Sequence, residues 1–187
     1  MKILVVGLGL IGGSLCKAMK KYTDHFVVGS DLKQDIEFAA LRDVAVDDSF
    51  NGDFSGFDLV IMALFPDATE KYLRENISRM DKNTLITDVC GIKGAFSERI
   101  KKLASENGMR YVGIHPMAGK EFGGYHNSFA DLFQKANFII APDEDSLPGD
   151  VETLRSLAAE IGAGKIVVTT PENHDKMIAY TSQLAHI

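Results

Sequence analysis

A histidine, His115, stands between a strand-like run and a glycine-rich loop in YVGIHPMAGKEFGG, residues 111–124. A neutral imidazole titrates near pH 6.5 and can take a proton from a substrate hydroxyl. Pro116 restricts the backbone directly after it, and a loop rich in glycine suits the wrapping of a small ligand. Most histidines are surface or satisfied core residues. The position of His115 nevertheless predicts a catalytic base.

A second candidate site is the N-terminal turn GLGLIGG, which fits G-x-G-x-x-G between a strand and a helix. Gly7 permits the tight turn, Gly9 lets the backbone approach a pyrophosphate, and Gly12 lets the helix pack closely on the strand. Asp31 ends the second strand about 20 residues on, where a carboxylate accepts hydrogen bonds from ribose hydroxyls and repels a 2′-phosphate. The turn therefore predicts NAD as the cofactor, with NADP less favoured. Further cofactor contacts are expected at Leu10, Ile11 and Leu64.

The last predicted helix carries a hydroxyl and an imidazole at i, i+4. Ser182 and His186 therefore project from one helix face. If that face closes over the glycine-rich loop, the two side chains can bind a substrate carboxylate or carbonyl. The alternative is a polar helix face in a further domain.

Composition excludes several classes of function. The net charge of -6 and the absence of a long basic run argue against nucleic acid as a partner. No apolar run reaches the roughly 20 residues of a membrane span, and the N-terminus reads as a strand and turn, not as a signal peptide. Cys16 and Cys90 lack metal-ligand spacing, so no metal site is expected. We expect a cytoplasmic protein that binds a small molecule.

The elements that must position these residues alternate between strands and helices, as in α/β proteins. Seven apolar runs alternate with segments of helical length: KILVVG, FVVGSD, DLVIMAL, TLITDV, RYVGIH, NFIIAP and KIVVTT. Strands that are apolar nearly throughout indicate a doubly wound, Rossmann-type, mostly parallel sheet covered on both faces. Helices are predicted over DATEKYLRENISRM and over GAFSERIKKLASENG, the second ended by Asn107 and Gly108.

The pattern changes after residue 170. The segment TTPENHDKMIAYTSQLAHI predicts a turn and a helix that starts with Pro171 and still runs at the last residue. We therefore expect an NAD-binding domain over residues 1–170 and, over residues 171–187, the first helix of a truncated all-helical domain.

Together these motifs resemble those of the prephenate dehydrogenase family. The matching stretches are GLGLIGGSL, TDVCGIKG, HPMAGKEFGG, ENHD and TSQLAH, in the family's order over nearly the whole chain. The resemblance implies oxidative decarboxylation of prephenate to 4-hydroxyphenylpyruvate in tyrosine biosynthesis, or the equivalent reaction of arogenate. It implies that His115 is the base for the ring hydroxyl, and that Glu121, Ser182 and His186 reach the substrate.

The resemblance also implies a homodimer formed through the missing helical domain, so we expect these 187 residues alone to bind NAD but to turn over prephenate poorly. The sequence departs from the family at three positions. Gly91 replaces a frequent serine, Lys120 replaces a small polar residue, and Ala185 replaces a proline. The role of Lys93, in the same motif as Gly91, stays open between a site residue and a helix-start charge.

Two other functions are kept as alternatives. The chain can be a non-catalytic NAD-binding or redox-sensing module, because Rossmann folds also serve regulators. It can also be a dehydrogenase of β-hydroxy acids. That reaction would need a lysine on the last helix, and Lys176 is the only nearby candidate.

Overall fold

The structure, a computed structural model, describes residues 1–184, with side chains described through Tyr180. Its strands are β1 (Lys2–Val6), β2 (Phe26–Ser30), β3 (Asp48–Ser49), β4 (Leu59–Met62), β5 (Leu85–Asp88), β6 (Arg110–Tyr111), β7 (Gly113–Met117), β8 (Asn137–Ala141) and β9 (Lys165–Val168). Its α-helices are α1 (Leu10–Tyr22), α2 (Gln34–Arg42), α3 (Pro66–Asn76), α4 (Gly94–Glu106), α5 (Pro148–Glu160) and α6 (Pro171–Leu184). Short 3-10 helices cover Ile77–Arg79, Tyr125–Asn127 and Ala130–Phe133.

The main sheet has six parallel strands in the order β3-β2-β1-β4-β5-β6. The central strand β1 shows why the strands are apolar at nearly every position. Ile3 and Val5 enter one hydrophobic cluster with Leu15 of α1, whereas Leu4 and Val6 enter a second cluster that includes residues of α3 and α4. Helices thus cover both faces of the sheet. The predicted doubly wound α/β fold is confirmed.

The segment RYVGIH forms two strands, and its prediction as one strand was wrong. β6 pairs with β5 in the main sheet, but β7 pairs antiparallel with β8, which pairs parallel with β9 in a separate sheet. Between them, Val112 donates its N–H to the carbonyl of Ile86 (3.2 Å) and accepts from Thr87 Oγ1 (2.6 Å). At Gly113 the chain passes over Lys93, whose Cδ would lie 2.8 Å from an added Cβ. An apolar run indicates burial, but it does not say which strand will be the partner.

Most helix boundaries agree with prediction. α4 ends at the cap residue Asn107, followed by Gly108 at φ +78°. α3 ends earlier than predicted, at Asn76, and the chain continues as a 3-10 helix. α6 begins at Pro171 and packs against α4 and β8. A domain boundary at residue 170 stays a prediction. None of the described helices is long and apolar enough to cross a membrane.

Candidate functional site

The turn after β1 has the shape of an anion cradle. Gly7 has φ +93°, and a Cβ on Gly12 would lie 1.9 Å from the Gly7 carbonyl oxygen, so neither position accepts a side chain. A Cβ on Gly9 would meet no atom within 4 Å, so this residue faces open space. Gly9 is also the N-cap of α1 and provides no side-chain cap, which leaves the first-turn amides of Leu10 and Ile11 to a ligand. The turn therefore fits a pyrophosphate.

Asp31 lies beside this turn, directly after β2. Its Oδ2 accepts the N–H of Leu8 (2.8 Å), and its Oδ1 accepts the N–H of Lys33 (3.0 Å). The N–H of Asp31 itself donates to Glu37 Oε1 (2.9 Å). A carboxylate has about four lone-pair sites, so two remain for ribose hydroxyls. Asp31 thus supports the turn and still has room for a ligand.

A line of contacts connects the glycine-rich turn with His115. Leu64, which follows β4, lies so close to Gly7 that an added Cβ there would be 2.7 Å from its Cδ2. The backbone oxygen of Leu64 accepts from Cys90 Sγ (3.4 Å). The next residue, Gly91, faces His115, and a Cβ on Gly91 would lie 3.5 Å from His115 Nε2. Three loops therefore bring the predicted cofactor residues and the predicted base to one edge of the main sheet.

His115 lies in the middle of β7, where it pairs with Ile139. We expected it at the end of a strand, and that detail was wrong because the chain changes sheet at Val112. Its Nδ1 is 2.9 Å from His174 Nε2, and the two rings meet edge-on with centroids 5.1 Å apart. Among the described residues, no hydrogen-bond partner is found for its Nε2. One ring nitrogen is thus bound to the protein and the other faces Gly91.

His174 and Asp175, in the first turn of α6, extend this contact. His174 is fully buried, and its Nδ1 is 2.7 Å from Asp175 Oδ1. The same carboxylate oxygen accepts the backbone N–H of Lys93 (2.8 Å). The sequence motif ENHD contains both residues, but sequence reasoning assigned neither of them a role. Only the position of α6 in the folded chain brings His174, and through it Asp175, into contact with His115.

The environment of His115 favours its neutral form. Burial, the largest cause, together with the neighbouring His174 and Lys93 lowers its pKa to about 4, against a smaller opposing effect of Asp88 and Asp175. The ring is therefore unprotonated at neutral pH. It is available as a hydrogen-bond acceptor.

Lys93 forms the centre of a buried polar network beneath β7. Its side chain is fully buried, and its Nζ donates to Asp88 Oδ1 (2.8 Å) and to the carbonyl of Cys90 (2.7 Å). Asp88 Oδ2 accepts from the hydroxyl of Tyr111 (2.6 Å), which also contacts Ser97 Oγ (3.1 Å). Lys93 is the N-cap residue of α4, and its buried side chain holds the loop before that helix.

The two cysteines are buried and unpaired. Burial raises the pKa of both Cys16 and Cys90 to about 12, so both stay as neutral thiols. The Sγ of Cys90 donates a hydrogen bond to the backbone oxygen of Leu64. It is thus a packing residue of the loop between the turn and His115.

The predicted substrate residues are placed only in part. Glu121 is exposed on the loop after β7, where the neighbouring Lys120 lies 4.1 Å from the ring centroid of Phe129. Ser182 lies within α6, but its side chain is outside the described part of the chain. His186 lies outside the described residues altogether. Their contacts with a substrate stay predictions.

Comparison with known proteins gives consistent matches. Residues 15–168 match the family model described as "Prephenate dehydrogenase, nucleotide-binding domain". A prephenate dehydrogenase of Bacillus subtilis is 32% identical over 193 residues, which cover 99% of this chain and 51% of that protein. A cyclohexadienyl dehydrogenase of Zymomonas mobilis is 28% identical, with 99% and 64% covered. The crystal structure of Synechocystis arogenate dehydrogenase superposes with a TM-score of 0.90 at 29% identity, with 98% and 65% covered.

The matches cover nearly all of this chain but only part of each relative. The chain spans about half the length of the Bacillus subtilis relative, although nearly all of this chain is aligned. The family model begins at Leu15 within α1, after the glycine-rich turn, and covers the loop of Lys93 and the strand of His115. The chain therefore belongs to the prephenate dehydrogenase family, and it comprises the nucleotide-binding domain of that family.

Proposed function

We propose that this chain binds NAD and that the whole protein oxidises prephenate to 4-hydroxyphenylpyruvate, with release of carbon dioxide. One observation carries the proposal. The Nε2 of His115 faces the loop of Gly91, and that loop contacts the glycine-rich turn through Cys90 and Leu64. A proton acceptor and a nucleotide cradle thus share one edge of the sheet, as a dehydrogenase of a hydroxyl-bearing substrate requires.

His115 supplies the proton chemistry in this proposal. NAD would be held by the glycine-rich turn and Asp31, and it would supply the acceptor for the hydride of the ring carbon that bears the hydroxyl. The Nε2 lone pair of His115 accepts the proton of that hydroxyl as the hydride leaves. The C–C bond to the carboxylate then breaks, its electron pair completes the aromatic ring, carbon dioxide departs, and the ring oxygen takes the proton back from His115 to give the phenol. Because aromatisation drives the step, the site needs alignment and one acceptor. A pKa of about 4 keeps His115 ready for this role throughout the neutral range.

The preference for NAD over NADP is supported by Asp31. Its carboxylate is anchored by the N–H groups of Leu8 and Lys33 at the end of β2, so it cannot readily turn away from the ribose. A 2′-phosphate would meet this charge. We expect kcat/KM to be higher with NAD than with NADP by roughly tenfold or more, and Asp31→Ser to reduce the ratio.

Arogenate is the second candidate substrate, because the Synechocystis relative is an arogenate dehydrogenase with a TM-score of 0.90. The two substrates differ in the side chain of the ring, which we propose is bound by Glu121, Ser182 and His186. Dimer formation through a helical domain, and a domain boundary at residue 170, belong to the same proposal.

The test is NADH formation with prephenate and with arogenate, measured on the product of the complete gene. His115→Asn should lower kcat by on the order of 10²-fold or more, as loss of a positioned base does, with NAD affinity unchanged. His126→Asn is the matched control, because His126 is an exposed histidine on the 3-10 helix that follows the same loop. NAD binding without turnover of either substrate would contradict the proposal and favour a non-catalytic nucleotide-binding module.

A further inference from the structure

Two residues behind His115 complete a chain of hydrogen bonds that ends at a fixed donor. The chain runs from His115 Nδ1 to His174 Nε2 (2.9 Å), from His174 Nδ1 to Asp175 Oδ1 (2.7 Å), and from that oxygen to the backbone N–H of Lys93 (2.8 Å). A backbone N–H can only donate. The Asp175 oxygen at the end of the series is therefore an acceptor in this bond.

The direction of each bond follows from the donor inventory. An ionised carboxylate only accepts, so His174 Nδ1 carries the hydrogen that is shared with Asp175. With a single N–H on each imidazole, His174 Nε2 has a lone pair and accepts from His115 Nδ1. The hydrogen of His115 is thus on Nδ1, and the lone pair is on Nε2. That lone pair lies on the side of Gly91, where a Cβ would be 3.5 Å away.

His174 and Asp175 are positioned by burial and by close contacts with the backbone. His174 is fully buried in the first turn of α6, and its N–H donates to the carbonyl of Thr170 (2.9 Å). Gly94, at φ +21°, leaves room for the carboxylate, because a Cβ there would lie 2.6 Å from Asp175 Oδ2. The backbone at the start of α6 and the backbone at the start of α4 therefore both fit the position of the Asp175 carboxylate.

We propose that His174 and Asp175 are positioning residues that hold His115 as its Nδ1–H tautomer, with the Nε2 lone pair directed at the substrate hydroxyl. This inference rests on the proposed function of His115. When Nε2 takes the proton, the Nδ1–H bond to His174 is kept, and the negative charge of Asp175 compensates the new positive charge through the buried ring. Neither residue touches the reacting atoms, so neither is catalytic itself.

A purely structural role would explain the same contacts differently. Asp175 would tie α6 to the start of α4 through Lys93, and His174 would fill space beneath β7. Under that reading, the tautomer of His115 would be unconstrained. A measurement of the tautomer therefore separates the two readings without any assay of activity.

The first experiment is nitrogen NMR of the protein labelled at its histidine side chains, with NAD added. Assignment uses His115→Asn and His174→Gln. We expect His115 to show a protonated Nδ1 and an unprotonated Nε2 at neutral pH. A hydrogen on Nε2, or an equal mixture of tautomers, would overturn the inference even if the enzyme is active.

The second experiment compares His174→Leu with His174→Gln. Leu removes the acceptor, whereas the amide oxygen of Gln can still accept from His115 Nδ1. We expect kcat to fall by roughly 10-fold to 100-fold in the Leu variant and to recover largely in the Gln variant, with KM for NAD unchanged in both. Equal loss in both variants would contradict the positioning role. Full activity of His115→Asn would instead contradict the proposed role of His115 as the base, whichever tautomer His115 adopts.

Discussion

Replacement of Lys93 by methionine tests whether the buried network beneath β7 depends on its one cation. Methionine has a similar length and no charge, so it can occupy the space that the lysine stem now fills. The change leaves the Asp88 carboxylate fully buried without its Nζ partner at 2.8 Å. The Cys90 N–H at 2.8 Å and the Tyr111 hydroxyl at 2.6 Å would stay as its hydrogen-bond donors.

The size of the effect follows from the cost of an unpaired buried charge. Removal of one partner of a buried ion pair usually costs about 3–5 kcal/mol. The two remaining donors to Asp88 place our expectation at the lower end, at about 3 kcal/mol of unfolding free energy. For a chain of this size that loss lowers Tm by roughly 6–12 °C. The double variant Lys93→Met with Asp88→Asn should recover at least about 1 kcal/mol, because it removes the unpaired charge.

Urea unfolding of the wild type and the variants provides the measurement. Lys102→Met is the matched control, because Lys102 lies on the neighbouring helix α4 with its side chain 77% exposed and its nearest carboxylate at 4.0 Å. The control should change stability by no more than about 0.5 kcal/mol. If Lys93→Met stays within about 1 kcal/mol of the wild type, or the double variant is no more stable than the single one, the reasoning about the buried pair is refuted.

Three further predictions concern the turn, the histidine and the thiols. Gly12→Ala places a Cβ 1.9 Å from a backbone oxygen and should lower both the stability of the fold and the affinity for NAD. The Cβ of Gly9→Ala meets no atom within 4 Å, so this change should weaken NAD binding alone. Thermal unfolding measures the stability of each variant, and titration calorimetry measures its NAD affinity. The pKa of His115 is lowered to about 4, so between about pH 6.5 and pH 4 the unfolded chain binds a proton that the folded chain does not. The free energy of unfolding should therefore decrease by roughly 1–2 kcal/mol as the pH is lowered through this range. His115→Gln should remove this part of the slope in urea unfolding curves, and an unchanged slope would contradict the assignment. Cys16 and Cys90, with pKa values raised to about 12, should react with a thiol reagent slowly in the native protein and rapidly in denaturant.

Local patterns were sufficient for the class of the fold and for most element boundaries. The apolar runs predicted a covered sheet because both faces of β1 are buried under helices. The tight turn at Gly7 and Gly12 was predictable because its backbone conformation and close approach exclude any Cβ. Only glycine meets that constraint, so the residue type itself indicates the turn. The end of α4 at Asn107 and Gly108 has the same kind of local cause.

Pairing and long-range contacts were not predictable in this way. The single Gly113 within RYVGIH is consistent with a close backbone approach, but it does not specify a change of sheet. The division between two sheets depends on whether β5 or β8 is the available partner. Likewise, Lys93 has the ordinary appearance of a helix-start charge. Its burial follows from the packing of β7 over it at Gly113.

The sequence by itself determined the α/β fold, the nucleotide turn and the candidate base at His115, because these depend on residue type and on spacing along a few neighbouring residues. Only the tertiary structure decided what stands behind that base. His174 is 59 residues away from His115 along the chain, and the two rings meet because α6 packs back against the core. A hydrogen bond across that separation depends on the position of the whole helix, and no local pattern encodes such a position.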